Sequence, residues 1–571
     1  MVAIRPFRFL SVRQAAALSV TVIATQSVIF GLAAFHPRPR PAGAAHLPAS
    51  THALALILGV ALLALTPRLW RGTRTAVALT IAGLLGLTAL NAGHGRYLEA
   101  TVAAGLGLML ALGRSAFQLG CSNRPRRGIA WATGLAWGLA VCAVLVTPLV
   151  RHTAGHVFAG VVHHPAGHTV PVAATSSLSG HWVWLIELLI GGAAAITVLA
   201  LRSLVRPAPA ANRHSDHEYR AARAIVSAYG DDSLSPFLLR PDKALSFAAG
   251  GVLSYRVIGG TAVVSADPVA PGGAAPSVLA GFLTQARRRG WQVVVWGAGP
   301  RHLDGYRALG FRAMCVGEEA FVDPARFTLE GRPVRKLRQS VSRTARRGWE
   351  ITASDGREID AELEAEIEAL EARWLGDHPR VHGFAMGMGT FDGELHPDDL
   401  YVLARSPEGA LGAVMRFVAY GANLSLDTMQ RVGETPNGLN EALVVRALEV
   451  ARERGVAEVS LNYAGLAHLV RREPSRNRVR RALTGILLAP LHRRFQMDHL
   501  VRFNDKFSPQ WRPRYLVYES RAALPRSIVR VLQAEGYLPH PRGSNLPDAL
   551  PGTLPRATPR LRPRGPLSEP R

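Results

Sequence analysis

The feature of this 571-residue chain that most constrains its fold is a change of character near Arg206. Long apolar runs with almost no acidic residue precede that point, and a charged, mixed sequence follows it. A helix needs roughly 20 apolar residues to cross the hydrocarbon core of a bilayer, or fewer where flanking arginines snorkel. The sequence therefore predicts an α-helical polytopic membrane domain over residues 1–206, with six candidate spans at 15–35, 52–66, 75–90, 98–112, 129–150 and 182–201.

Arginine residues lie on alternate sides of these six spans. Clusters occur at residues 5–13, 68–74, 114–127 and 202–206, whereas the intervening loops hold few arginines. Because arginine collects on the cytoplasmic side of a membrane, both ends of the membrane domain are predicted to be cytoplasmic. The remainder is then the cytoplasmic part of a multi-pass membrane protein. A cleaved signal peptide is the alternative for the first run, but its length and the spans that follow favour a membrane helix.

The formal net charge of +25 suits binding to anionic lipid, nucleic acid or both. Arginine supplies nearly all of the positive charge, since the chain has only three lysines, Lys243, Lys336 and Lys506. Arginine and lysine differ in size, hydration and titration, so each lysine is a candidate for a specific role.

No metal or cofactor site is predicted. The three cysteines, Cys121, Cys142 and Cys315, lack the paired spacing of a disulfide framework or a zinc ribbon. Six histidines between the fifth and sixth spans lie on the predicted outer side, and metal binding there is the alternative interpretation. They lack acidic or cysteine partners, so an exposed or pH-responsive loop is the favoured interpretation. These histidines are His152, His156, His163, His164, His168 and His181.

The residues after 206 alternate between short strands and helices, as is typical of an α+β domain. Strands are predicted at 244–249, 252–258, 261–266, 291–296 and 311–316, with helices at 275–289 and 301–309. A similar order recurs, with helices at 358–374 and 439–454 and strands at 400–404, 410–420, 423–429 and 456–461. Two tandem copies of one mixed unit are therefore predicted.

The predicted organisation has six segments. They are the membrane domain 1–206, an amphipathic linker 207–233, a first unit 234–330, a basic bridging helix 331–350, a second unit 351–540, and a Pro- and Arg-rich disordered tail 541–571.

Several motifs in these units resemble a known family. "GYRALGF" at 305–311 and the order of elements are similar to the N-acetyltransferase-like (GNAT) folds. "GEEAFVDPARFTLEGRPVRKLRQSVSRTARRGWEI" at 317–351 resembles the central segment of the phosphatidylglycerol lysyltransferase C-terminal domain, which has two GNAT-like folds in tandem. Further matches follow in order: "FAMGMGTFD" at 384–392, "SLDTMQR" at 425–431, "PNGLNEAL" at 436–443 and "RFNDKFSPQWRPRY" at 502–515.

The resemblance implies an enzyme that transfers an amino acid, lysine or another, from aminoacyl-tRNA to the hydroxyl of a membrane lipid such as phosphatidylglycerol. Such a transfer alters the surface charge of the membrane. Gln430 stands where the family often has the first of two arginines, so a catalytically inactive or regulatory membrane module that binds tRNA or anionic lipid is the alternative.

A CoA-dependent acyltransferase is a second alternative within the same fold. Members that bind CoA carry a Gly-rich turn before the main helix, where backbone amides hold the pyrophosphate. The segment 436–443 offers only Gly438. The sequence therefore favours aminoacyl-tRNA over CoA as the donor.

Ester transfer needs a base for the lipid hydroxyl and stabilisation of the developing oxyanion. Asp427 is the predicted base, because the alternation over 423–429 puts it on the polar face of a half-buried strand. Arg431 has the same parity and is predicted to clamp a phosphate. Lys506, in an aromatic segment read as a loop that lines a cleft, is predicted to hold a phosphate or the oxyanion. A solvated carboxylate and a snorkelling lysine are the structural alternatives for Asp427 and Lys506.

The bridging segment 332–347 has apolar residues three and four positions apart, with basic residues between them. This pattern predicts a helix whose basic face meets tRNA phosphate or anionic lipid headgroups, although a plain solvated face has the same pattern. The predicted apolar stripe is Val334, Leu337, Val341 and Ala345. The predicted substrate-binding residues are Arg335, Lys336 and Arg338 of this helix, together with Asn462 and Arg512.

Overall fold

The computed structural model describes residues 12–32, 49–117, 196, 214–332, 334–378, 383–386, 397–465 and 497–540. The chain forms two compact units. The first comprises Met1–Ala208 with Arg287–Trp291, and the second comprises Pro209–Ala286 with Gln292–Arg571. The tail predicted at 541–571 lies outside the described residues.

Four long helices make up most of the described part of the first unit. They are α1 (Val12–Leu32), α2 (Ala49–Arg71), α3 (Arg74–Gly93) and α4 (Tyr97–Leu112). Gln14–Leu32 and Arg74–Gly93 are long and apolar enough to cross a membrane, whereas Leu54–Trp70 and Tyr97–Leu112 are apolar but shorter. The spans predicted at 129–150 and 182–201 lie outside the described residues, so the count of six remains a prediction.

Glycine brings α1 and α2 close together. A side chain added at Gly31 would come within 2.6 Å of Leu56, and one at Gly59 within 2.8 Å of Val28. Close approach through small residues is typical of helices that associate in lipid. Large apolar side chains also face outward along all four helices, which suits an apolar surrounding rather than water. They include Leu18, Val22, Ile29, Leu54, Trp70, Leu79, Leu85, Leu98, Val102 and Leu108.

One mixed sheet of eleven strands dominates the described part of the second unit. Its strands are β1 (Ala244–Ala248), β2 (Gly251–Ile258), β3 (Thr261–Val269), β4 (Gln292–Ala298), β5 (Arg312–Val322), β6 (Glu350–Asp355), β7 (Leu400–Arg405), β8 (Leu411–Tyr420), β9 (Asn423–Arg431), β10 (Val459–Gly465) and β11 (Gln510–Tyr518). The order across the sheet is β1-β2-β3-β4-β11-β5-β10-β9-β8-β7-β6. The helices are α5 (Asp216–Tyr229), α6 (Ala275–Arg288), α7 (Leu303–Ala308), α8 (Arg335–Arg346), α9 (Ala361–Asp377), α10 (Leu439–Glu453), α11 (Met497–Asn504) and α12 (Leu524–Ala534).

The sheet repeats one pattern of connections. In the first half, β1 to β3 form an antiparallel meander, and α6 then leads to β4, which is parallel to β3. In the second half, β6 to β9 form a longer meander, and α10 leads to β10, which is parallel to β9. A helix is the usual connection between parallel neighbours. The repeated mixed unit predicted from the sequence therefore appears as a repeated meander and crossover.

The last strand joins the two halves. β11 follows the second half in the chain, but it lies between β4 and β5 of the first half and is antiparallel to both. The loop predicted around residue 506 is shorter than expected, because α11 ends at Asn504, a 3₁₀ turn spans Asp505–Phe507 and β11 begins at Gln510. Pro513 is tolerated because β11 pairs with β4 only from Tyr515 onward, so residue 513 needs no N–H donor toward β4.

Helices cover both faces of the second half of the sheet. α8 and α10 bury residues such as Leu337 and Leu443 against Val402 and its neighbours on one face. α9 buries Ile367 against Tyr401 on the opposite face, as the alternation of strand side chains requires. Burial of each large apolar side chain contributes about 1.5–3 kcal/mol.

Candidate functional site

The parallel pair β9 and β10 parts near the middle of the second half. The last paired residues are Ser425 and Ser460, after which Asn462 adopts a left-handed backbone with φ of 83°. Its N–H donates to the Ser460 hydroxyl at 3.3 Å. Where neighbouring parallel strands separate, a crevice opens at their carboxyl ends. Asp427 stands two residues beyond the last pair on β9.

A β-bulge lies at Asp427. Leu426 is opposite Phe417 and Thr428 is opposite Arg416, so Asp427 is the extra residue of β9. A bulge bends its strand and redirects a side chain, and bulges are frequent beside active sites. Asp427 is 8% exposed and forms part of the wall of a cavity of about 260 Å³, termed here the smaller cavity. The polar face predicted for β9 therefore borders a buried cavity at Asp427 rather than open solvent.

Asp427 shares a buried guanidinium with a second carboxylate. Arg416 donates from Nε and Nη2 to Oδ2 of Asp399 at 2.9 and 2.7 Å. Its Nη1 lies 3.4 Å from Oδ2 of Asp427. Oδ1 of Asp399 accepts a hydrogen bond from the backbone N–H of Ala419 at 3.1 Å. Two hydrogen bonds to one carboxylate fix the plane of the guanidinium, so Arg416 is held in place to position Asp427.

Arg431 does not share the side of β9 that Asp427 occupies. Met429 packs against the same core as Leu424 and Leu426, and Arg431 follows Met429 by two residues. The expectation of common parity is wrong because the bulge inserts one residue and shifts the alternation. Arg431 is exposed at the end of the strand, and its phosphate-binding role remains a prediction.

Lys506 contacts the first turn of α10. Its Nζ lies 2.6 Å from Oε1 of Glu441 and 5.4 Å from the centre of the Phe503 ring. The side chain is 39% exposed, so a ligand can reach it. An anion that binds Lys506 would compete with Glu441 for the ammonium group. Asp427 and Lys506 thus have different partners, and a shared catalytic role remains a prediction.

A second cavity, of about 600 Å³ and termed here the larger cavity, adjoins the first. Ser227 and Gly421 belong to the walls of both. Arg512 lies in the wall of the larger cavity, with Nη2 2.5 Å from Glu458 and the guanidinium 4.1 Å from the centre of the Phe321 ring. Of the predicted site residues, the structure therefore brings Asp427 and Arg512 to adjoining cavities.

A buried ionic network that no sequence pattern indicates borders the larger cavity. Arg514 of β11 lies 2.5 Å from Glu319 of β5 and 2.8 Å from Asp232. Glu319 also accepts hydrogen bonds from Ser233 at 2.6 Å and Ser460 at 2.5 Å. Burial alone would raise the pKa of Asp232, but the adjacent Arg514 holds it below its ordinary value. No sequence spacing signals this network, because the insertion of β11 alone brings positions 232, 319 and 514 together.

The first half of the sheet has its own cleft at the corresponding place. β3 and β4 pair as far as Ser265 and Trp296, after which Gly297 takes a φ of 83°. Asp267, two residues beyond Ser265, is 8% exposed in the wall of the larger cavity. The motif Ser-x-Asp thus recurs at the two points where parallel strands part. The copy that contains Asp267 was not predicted, because a single Asp within a strand forms no recognisable sequence pattern.

Asp267 accepts two hydrogen bonds. The hydroxyl of Tyr306 donates to Oδ1 at 2.7 Å, and the backbone N–H of Gly299 donates to Oδ2 at 2.8 Å. Burial, followed by the negative charge of Asp232, raises the pKa of Asp267 above its ordinary value.

The predicted bridging helix is α8, and its two faces differ as expected. Val334 and Leu337 are buried and Val341 packs against the same core, but Thr344 is buried in place of Ala345. Arg338 donates to the carbonyl of Leu329, and Arg343 to that of Asn437. Within the described ranges, none of the helix cations forms an ion pair with a carboxylate. The exposed basic residues are Arg335, Lys336, Arg338, Arg343, Arg346 and Arg347.

The part of the chain that the structure describes contains no cluster of potential metal ligands. No three His, Cys, Asp or Glu side chains converge there as metal ligands would.

Comparison with known proteins identifies the family. Residues 223–518 match the family model described as "Phosphatidylglycerol lysyltransferase, C-terminal". The chain belongs to this family. It is 33% identical over 435 residues to the "Lysylphosphatidylglycerol biosynthesis bifunctional protein LysX" of Nocardia farcinica. The aligned region covers 73% of this chain and 38% of that protein. The protein of the same name from Rhodococcus opacus is 30% identical over 438 residues, covering 74% of this chain and 39% of that protein. The chain thus spans about two fifths of the length of these relatives.

Two solved structures of low identity are also similar. "The structure of L-PGS from Bacillus licheniformis" is 23% identical, with a TM-score of 0.49, and covers 56% of this chain and 97% of that one. The C-terminal domain of a putative lysylphosphatidylglycerol synthetase from Agrobacterium fabrum is 23% identical, with a TM-score of 0.49, and covers 57% of this chain and 99% of that one.

Proposed function

We propose that this chain transfers an amino acid, lysine first among the candidates, from aminoacyl-tRNA to a hydroxyl of a membrane lipid such as phosphatidylglycerol. The observation that carries the proposal is family membership over residues 223–518, together with relatives named for lysylphosphatidylglycerol biosynthesis. The apolar helices of the first unit would hold the enzyme at the bilayer that contains its acceptor. The second unit would lie in the cytoplasm, where aminoacyl-tRNA is available.

The proposed reaction exchanges one ester for another. The lipid hydroxyl oxygen forms a bond to the aminoacyl carbonyl carbon, and the bond from that carbon to the ribose oxygen of tRNA breaks. The hydroxyl proton ends on the departing ribose oxygen. Because donor and product are both esters, the exchange needs no oxidant or reductant.

Asp427 is the proposed base for the lipid hydroxyl. It lies in the wall of the smaller cavity, and Arg416 holds one of its oxygens at 3.4 Å. The guanidinium balances part of the negative charge and fixes the orientation of the carboxylate, as positioning for proton transfer requires. The carboxylate of Asp427 is then the proposed acceptor of the hydroxyl proton, which it later passes to the ribose oxygen.

The wall of the smaller cavity suits an anionic lipid headgroup. Phe237 and Val418 supply apolar surface beside Asp427, and Arg223 of α5 supplies a positive charge. Among the described residues, no carboxylate forms an ion pair with Arg223. A guanidinium matches the geometry of a phosphate, so Arg223 is the proposed contact for the lipid phosphodiester.

The basic face of α8 is the proposed binding surface for the donor tRNA. Its exposed cations, among them Arg335, Lys336 and Arg338, have no carboxylate partners within the described residues. Nucleic-acid phosphates would meet these cations with little competition, and the binding would weaken as salt rises. Lys506 and Arg431 remain predicted contacts for phosphate or the oxyanion.

Transfer of label into lipid tests the proposal. Full-length protein in phosphatidylglycerol vesicles receives tRNA charged with radiolabelled lysine, and the extracted lipid is separated by thin-layer chromatography. We expect a labelled lipid that ribonuclease treatment of the donor abolishes. Transfer from acyl-CoA instead would identify a CoA-dependent acyltransferase. Binding of tRNA or lipid without any labelled product, for every amino acid tried, would identify an inactive module.

A further inference from the structure

The cations in the wall of the larger cavity are already paired. Arg301 forms an ion pair with Asp231, and Arg512 forms one with Glu458. The third cation, Arg514, is held between Asp232 and Glu319, as described above. Each positive charge in this wall thus has at least one carboxylate within the described part of the chain.

Asp267 differs from these carboxylates. It lies in the same wall, but within the described residues no lysine, arginine or histidine forms an ion pair with it. Its two hydrogen-bond donors, Tyr306 and Gly299, are neutral. Buried carboxylates are normally paired with a cation, because an isolated buried charge is costly. The raised pKa of Asp267 has the same origin, since burial and Asp232 both disfavour its charge.

The surroundings of Asp267 suit a long side chain that ends in a cation. Pro268, Val269 and Phe321 contribute apolar surface to the cavity, against which a methylene stem can pack. The cavity of about 600 Å³ adjoins the smaller cavity at Ser227 and Gly421. An amino acid bound where the two cavities meet can therefore extend its side chain into the larger cavity, whose wall includes Asp267.

We propose that Asp267 is a specificity-determining residue that binds the side-chain ammonium of a lysyl group on the donor. This inference rests on the proposed function, because it names the amino acid which the same site accepts. The ammonium supplies a counter-charge within ion-pair distance of Asp267, whereas the described cations Arg301 and His302 interact with it only from farther away. A neutral side chain of equal length, such as that of norleucine, would leave the carboxylate of Asp267 without that counter-charge.

The test compares two esters that differ only in the terminal group. Binding of lysine methyl ester and norleucine methyl ester to the full-length protein is measured by calorimetry. We expect the wild type to favour lysine by about 10- to 100-fold, the range for a hydrogen bond to a charged group. Equal affinity of the wild type for the two esters would overturn the inference without any variant.

Asp267→Asn should abolish this preference and reduce transfer from lysyl-tRNA by a similar factor. Transfer from tRNA misacylated with norleucine should change little. Asp304→Asn is the matched control, because Asp304 is 93% exposed, lies outside both cavities and loses the same charge. A preference for lysine that survives in Asp267→Asn would refute the role of Asp267, as would an equal loss with both donors.

Two further measurements keep the outcomes separate. Asp267→Glu retains the charge and should recover part of the preference for lysine, which a purely structural role of Asp267 would not predict. Tyr306→Phe leaves the carboxylate in place and should retain the preference, so its loss there would contradict the inference. If wild-type protein forms no aminoacyl lipid from any donor, the proposed function fails. If it forms lysyl lipid and Asp267→Asn does so equally well, only this inference fails.

Discussion

Asp427→Asn tests the proposed base most directly. The substitution keeps the shape of the side chain and an oxygen that Arg416 can contact, but it removes the group that accepts the hydroxyl proton. General base catalysis contributes about 100- to 10,000-fold to a rate. We therefore expect the first-order rate of transfer to fall by at least about 100-fold, while the affinity for charged tRNA changes little.

The stability of the fold should change far less than the rate. Arg416 keeps both hydrogen bonds to Asp399 when Asp427 becomes an amide, so the guanidinium stays paired. We expect a loss of about 1 kcal/mol or less in the free energy of unfolding. Asp399→Asn is the contrasting variant, because it removes the main partner of a buried arginine and should cost about 3–5 kcal/mol.

Single-turnover transfer from lysyl-tRNA separates these effects. Enzyme in excess over donor reports the rate of the transfer step, and filter binding reports the affinity for the donor. Asp377→Asn, at an exposed position at the end of α9, controls for the loss of one carboxylate. If Asp427→Asn transfers lysine at the wild-type rate with normal stability, Asp427 is not the base, and the bulge on β9 has another purpose.

Three further outcomes are expected. A reporter fused after Arg206 should be cytoplasmic and one inserted near His164 external, and external labelling of the fused reporter would contradict the use of cytosolic aminoacyl-tRNA. Lys506→Arg should lower turnover by roughly 10-fold, because a wider guanidinium cannot reproduce a compact ammonium beside Glu441, and a parent rate would mark the lysine as incidental. Loss of three charges from α8 should weaken tRNA binding and make the affinity less dependent on salt concentration. If the dependence of the affinity on salt does not change, the basic face of α8 is only a solvated surface. The variant is Arg335→Gln, Arg338→Gln and Arg346→Gln combined.

Local patterns predicted most of the regular structure of the second unit. Alternation and Gly-rich turns predict the strands of both meanders except β6, and the predicted apolar stripe of α8 differs at one position only, at Thr344. Family motifs pointed to Asp427. The bulge at that residue was not predictable from alternation, because a single inserted residue leaves no signal in the pattern, and it removed Arg431 from the face that holds Asp427.

Long-range pairing explains what the sequence did not reveal. Pro509 and Pro513 favour a loop in the sequence, yet Pro513 belongs to a strand that pairs with β5 along its whole length. Arg514 and Glu319 are separated by 195 residues, and their contact exists only because β11 enters the first half of the sheet. The sequence around Asp267 does not indicate a function, since what distinguishes this residue is that no cation among the described residues forms an ion pair with it in three dimensions.

The position of β11 also sets the order in which the sheet can be completed during synthesis. β4 and β5 emerge from the ribosome about 190 residues before the strand that separates them, so their facing edges stay unpaired while the whole second half is made. Unpaired strand edges favour mispairing, and such late, distant contacts slow folding. A nascent chain arrested after β10 should therefore expose both edges to proteases and chaperones, and synthesis of the roughly 100 residues that follow should protect them together, as one cooperative event.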